Sequence, residues 1–99
     1  MNVHVAIYEW KPGTPESLVE QLLLGIADIE KSIEGLQIYV GKNTSRYGEG
    51  YTHAIVVVGP DQAAIDAYRQ HPDHVRLAHE IDAIEERGVG VDIANRFAE

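Results

Sequence analysis

Val3-His4-Val5-Ala6-Ile7-Tyr8-Glu9-Trp10 is the stretch from which the rest of the sequence is read. Val3, Val5 and Ile7 alternate with His4, Ala6 and Tyr8, and both sets are largely apolar or aromatic. A period of two predicts a strand, and two apolar faces predict that both sides of it are covered. Lys11-Pro12-Gly13 then breaks the chain before Thr14-Pro15-Glu16. That triplet suits a helix start: Thr14 is expected to cap, Pro15 to take the first helical position and Glu16 to sit at the positive dipole end.

Leu18, Leu22, Ile26, Ile29 and Ile33 follow at helical spacing, and Gly35 is expected just past the C-terminus of that helix. A second strand is predicted over Leu36–Gly41, a polar loop over Asn43–Gly50 and a third strand over Tyr51–Val58. In that third strand Tyr51, His53, Ile55 and Val57 share one face. Gly59-Pro60-Asp61 ends it and offers Asp61 as the cap of a short helix to Gln70, with Ile65 and Tyr68 on one side. His71-Pro72 interrupts the helical pattern, because the residue before proline disfavours the helical region. Pro72 is then expected to open a further helix to about Glu86, with Val75, Ala78, Ile81 and Ile84 inward and Glu85-Glu86-Arg87 as its solvated end. Val89, Val91 and Ile93 alternate in a last strand, and 95–99 read as a loose tail.

The order is βαββαβ, which predicts an α+β, ferredoxin-like unit spanning residues 1–99 as one domain: a four-stranded antiparallel sheet with its helices on one face. The strands nonetheless carry apolar residues on both faces. The face away from the helices takes Val3, Val5, Ile7, Ala54, Val56 and Val58, or the opposite set. Such a surface is unusual for a monomer, and two sheets pairing face to face remove it from water. A homodimer closed through the sheets, a dimeric α/β barrel, is therefore expected; the competing reading is that loops or the C-terminal residues cover the patch.

Composition narrows the partners. The formal net charge of −8, with no Lys/Arg cluster, argues against a nucleic-acid backbone or an anionic membrane surface. The absence of cysteine excludes disulfides, thiolate zinc sites and a cysteine nucleophile. No segment reads as a signal peptide or a membrane span, so a cytoplasmic protein is the expectation.

Four stretches stand out together: Val3-His4-Val5, Lys11-Pro12-Gly13-Thr14, Gly50-Tyr51-Thr52-His53-Ala54, and Ala67-Tyr68-Arg69-Gln70-His71-Pro72-Asp73-His74. In this combination the chain resembles the stress-responsive α/β-barrel (Dabb) family, nearly end to end, and Tyr-x-x-His-Pro-x-His is the most specific part. The resemblance implies ferredoxin-like units that dimerise through their sheets. One branch contains a plant polyketide cyclase that closes its substrate by an aldol-type condensation without metal or cofactor, in a pocket between helices and sheet of one subunit. Its histidines match His4, His53, His71 and His74, and its tyrosine matches Tyr68.

Imidazole titrates near neutrality, so it can take a proton from a carbon acid and return it. His74, in the first turn of a helix whose dipole opposes protonation, is the candidate general base. Tyr68 is the candidate donor to a carbonyl or enolate oxygen. His4 and His53 are expected to line or support the pocket, His71 to cap beside Pro72, and His79 to be exposed. A metal reading weighs against this one, since His71 and His74 stand three apart with His4 or His53 as a third ligand. Pro72 breaks the register between them, so the expectation is no metal and no cofactor. Two functions remain: a cofactor-independent cyclase, lyase or isomerase acting on a carbonyl or polyketide-like substrate, and a non-catalytic stress-response or small-molecule-binding protein.

Overall fold

The computed structural model describes residues 1–95. Of the tail predicted at 95–99, residues 96–99 lie outside them. The elements run β1 (Asn2–Trp10), α1 (Glu16–Asp28), a 3-10 turn (Ile29–Ser32), β2 (Gln37–Lys42), β3 (His53–Gly59), α2 (Gln62–Gln70), α3 (Pro72–Ile84) and β4 (Glu85–Ile93). The four strands form one antiparallel sheet in the order β2-β3-β1-β4, which is the expected α+β, ferredoxin-like arrangement.

The register sorts the two faces. Val3 lies opposite Val58, Val5 opposite Val56 and Ile7 opposite Ala54, so these six share a side. Ala6, Ile55 and Val57 point the other way and are buried, Val57 completely. They pack beneath Val19, Leu22, Leu23 and Ile26 of α1, whose i, i+3, i+4, i+7 spacing presents one stripe to the sheet. Ile65 and Tyr68 of α2 and Leu77 and Ile81 of α3 complete the core. The far face of the sheet stays open among the described residues. Tyr39, Val89, Val91 and Ile93 are exposed there, on strands that flank the six residues of β1 and β3.

Five local expectations are corrected. Thr14 does not cap α1; its hydroxyl donates to the Lys11 carbonyl and closes the preceding turn. Pro15 takes the cap position with its carbonyl alone, and no side chain caps the helix. The helix does not run on to Gly35, since it tightens into the 3-10 turn after Asp28; Gly35 (φ 79°) turns the chain into β2 instead. Val75 is not inward but 59% exposed, and Leu77 takes the buried place. Glu85-Glu86-Arg87 is the start of β4 and not a helix end, because Trp10 and Glu9 of β1 pair with Glu85 and Arg87. Asp61 caps α2 as expected, accepting from the Ala64 amide at 3.0 Å.

Candidate functional site

Three of the five predicted residues meet in one place. His4 lies on the helix-facing side of β1, Tyr68 near the end of α2 and His74 in the first turn of α3. The Tyr68 and His74 rings meet edge to face at 4.6 Å between centroids, and the His4 ring stands 6.3 Å from that of Tyr68. The break at His71-Pro72 makes this possible. It ends one helix and starts the next within two residues, so that Tyr68 and His74 come from two axes and still touch. His71 caps α3, its ring accepting from the Asp73 amide at 3.1 Å.

Hydrogen bonding fixes the state of each ring. His74 Nδ1 lies 3.1 Å from the Arg69 carbonyl, which only accepts, so Nδ1 carries the proton and Nε2 keeps the basic lone pair. Burial lowers the His74 pKa below its ordinary value, and the backbone hydrogen bond opposes this only in part. Burial likewise raises the Tyr68 pKa, so the phenol stays protonated. Tyr68 is buried, yet its hydroxyl has no hydrogen-bond partner among the described residues. Among the described residues no buried side-chain oxygen or nitrogen is both sealed from solvent and without a partner.

His4 Nδ1 donates to Asp92 at 2.6 Å, and Arg69 grips both oxygens of the same carboxylate at 2.9 and 2.8 Å. Arg69 also approaches His4 Nδ1 at 3.0 Å. Both of these nitrogens are donors, so that approach is packing around the shared Asp92 and not a further hydrogen bond. The hydrogen bonds from His4 and Arg69 hold the Asp92 carboxyl below the usual carboxylate range.

A cavity of about 280 Å³ opens beside this cluster, lined by His4, Ala6 and Tyr8 of β1 and by Glu85, Gly88 and Gly90 of β4. Tyr68 and His74 do not line it. Burial pushes the Tyr8 pKa up to about 12, and the nearby Glu85 and Asp82 add to this.

His53 is elsewhere. Its Nδ1 accepts from Trp10 Nε1 and Thr52 Oγ1, each at 2.9 Å. It lines a cleft of about 550 Å³ with Trp10, Lys42 and the 45–52 loop, and the Lys42–Glu16 ion pair (2.8 Å) is part of the same lining. Burial lowers the His53 pKa too; Glu16 opposes this in part and Lys42 adds to it. His71 and His74 turn to different partners, and no group of three or more acidic or histidine side chains suited to a metal ion occurs among the described residues. His79 is exposed.

Sequence reading missed Tyr8, Arg69 and Asp92. Tyr8 had a signal, since it shares the alternation of His4 and Ala6. Asp92 interrupts the Val89-Val91-Ile93 set on the opposite face, but only the β1–β4 register sets it opposite His4.

Known proteins agree with this architecture. The stress responsive A/B barrel domain model matches residues 3–95. The stress-response A/B barrel domain-containing protein HS1 of Arabidopsis thaliana is 31% identical over 78 residues, covering 76% of this chain and 72% of that protein. A hydroxynitrile lyase from Passiflora edulis superposes with a TM-score of 0.83 at 14% identity, covering 99% of this chain and 95% of the lyase. A dimeric ferredoxin-like protein of unknown function from Thermobifida fusca does so at 0.80 and 23% identity, covering 95% and 90%. No helix among the described residues is long and apolar enough to cross a membrane. The match along almost the whole chain, on a βαββαβ unit with one bare sheet face, makes this protein a member of the stress-responsive A/B barrel domain family.

Proposed function

We propose that this protein is a homodimer that performs cofactor-independent acid/base chemistry on a small carbonyl compound. The observation that carries the reading is the His74 imidazole. It is desolvated, its Nδ1 proton is committed to a backbone carbonyl, and its ring abuts a protonated Tyr68. A neutral imidazole so fixed is a base at Nε2, and a phenol beside it is a donor to the oxygen that gains charge when a proton leaves the adjacent carbon. His4, oriented by Asp92 and Arg69, supplies a second imidazole for returning the proton. Aldol closure, isomerisation and elimination all use this pair of steps.

The substrate class rests on two likenesses: the resemblance to the polyketide-cyclase branch at His4, His53, His71, His74 and Tyr68, and a fold shared with a hydroxynitrile lyase. Dimerisation rests on the bare apolar sheet face and on fold relatives described as dimeric.

The test is proton exchange. Acetylacetone in heavy water, followed by NMR, reports general-base catalysis without the true substrate being known. The wild type is expected to accelerate exchange above buffer. His74→Gln should lose about 10²-fold or more of that acceleration, and Tyr68→Phe roughly 10²-fold. Rates unchanged in both folded variants would remove the base and its partner.

One observation favours a second reading, a non-catalytic small-molecule binder: His4 and Tyr8 line the cavity, and Tyr68 and His74 do not. Under that reading ligands shift the melting temperature while exchange in the wild type stays at the buffer rate.

A further inference from the structure

A cavity of about 310 Å³ lies between α1 and the edge strand β2, and none of His4, Tyr68 and His74 lines it. Its two walls carry opposite charge. Glu16 and Glu20 stand one turn apart on α1 and both line it. Lys42 of β2 and His53 of β3, cross-strand partners, line it from the sheet. Lys42 bonds Glu16 at 2.8 Å, and Glu20 has no ion partner among the described residues. Two carboxylates thus share one ammonium.

The His53 ring adds a donor. Trp10 Nε1 can only donate, so His53 Nδ1 accepts and Nε2 carries the proton. Nδ1 is also the atom that meets Thr52, which leaves the Nε2–H without an acceptor among the described residues. The cavity therefore has room for one further cation at Glu20 and one further acceptor at His53. The rest of its lining is largely apolar, from Leu23, Leu24 and Val40, and Leu24 is 56% exposed. An apolar group seated there would remove that surface from water.

The Glu16–Lys42 pair is no obstacle. Both side chains are mostly exposed, and ion pairs so hydrated hold weakly. Glu16, Lys42 and His53 also line the larger cleft, so a ligand reaches them from either cavity. A molecule bearing both charges can part the pair and satisfy each half. Since the two wall charges already touch, the ligand's own charges must sit close together, as they do on the single carbon of an α-amino acid.

We propose that the cavity between α1 and β2 binds a free α-amino acid with an apolar side chain. Its ammonium lies between Glu16 and Glu20, its carboxylate on Lys42 and the His53 Nε2–H, and its side chain on Leu23, Leu24 and Val40. The site stands apart from the His74 cluster and does not rest on the acid/base reading.

The experiment measures binding. Amide chemical shifts of the full-length chain give Kd for four probes. These are L-leucine; its isomer 6-aminohexanoic acid, with the same charges five carbons apart; L-leucinamide, without the carboxylate; and N-acetyl-L-leucine, without the ammonium. Leucine should bind the wild type about tenfold more tightly than each of the others. Lys42→Met and Glu20→Gln should both fold, since both side chains are exposed. Lys42→Met should weaken leucine and N-acetyl-leucine about tenfold and leave leucinamide no weaker. Glu20→Gln should weaken leucine and leucinamide and leave N-acetyl-leucine no weaker. This crossed pattern assigns each charge of the ligand to its wall. No saturable binding of leucine, equal affinity for leucine and its isomer, or an unchanged leucine Kd in either variant would each overturn the proposal.

Discussion

His74 has a lowered pKa because half-burial strips water from its charged form. An imidazole of this kind binds its proton more tightly in the unfolded chain. Its contribution to stability is complete above the unfolded value of about 6.5 and is lost as pH falls from there toward the folded value. The urea midpoint of the wild type is therefore expected to fall more between about pH 7.5 and 5.5 than that of His74→Gln. The comparison cancels other groups, including His53, which shares the sign, and Glu85, whose carboxyl is raised by burial. Asp92 has a lowered carboxyl pKa, so its contribution is lost only below about pH 4. Equal falls in the two proteins would show that His74 is not desolvated. The residue types and their spacing were legible in the chain. Which nitrogen of His74 holds its proton was not, because the Arg69 carbonyl that decides it lies across the helix break.

At the scale of elements, a helix start is legible as a place and not always as a mechanism. Thr14 and Asp61 both look like caps in the sequence. Asp61 is one; the Thr14 hydroxyl is occupied by the Lys11 carbonyl, because Gly13 (φ 85°) bends the chain back onto it. Asp61→Ala is expected to lower stability by about 1 kcal/mol. Thr14→Ala should lower it by clearly less, since it removes one exposed turn bond and no cap; urea titration of the two variants separates them. The boundary between α3 and β4 was misread for a related reason. Glu85 to Arg87 have no strong strand signal of their own and become strand because β1 offers backbone partners to pair with.

At the scale of the molecule, the shortest dimension is 17 Å, room for one sheet and one layer of helices and no third layer. Val89, Val91 and Ile93 extend the apolar surface of β1 and β3 to the sheet edge. The wild type is expected to elute at twice its chain mass with a melting temperature that rises with concentration. Val91→Asp, at a position half-exposed in the single chain and so harmless to its own core, should shift the mass to that of one chain. A wild type that stays a single chain at high concentration, or a Val91→Asp variant that remains paired, would refute pairing through this face.

The sequence alone determined the order of elements, the sheet with helices on one side and its second apolar face, because periodicity and turn residues are local properties. It also marked His4, Tyr68 and His74 by type. Tertiary structure alone decided that these three meet while His53 faces another cleft, and that Asp92 and Arg69 hold His4. Each of those facts depends on strand register and on the angle between α2 and α3, which are set by long-range pairing and packing that no local window of the chain encodes.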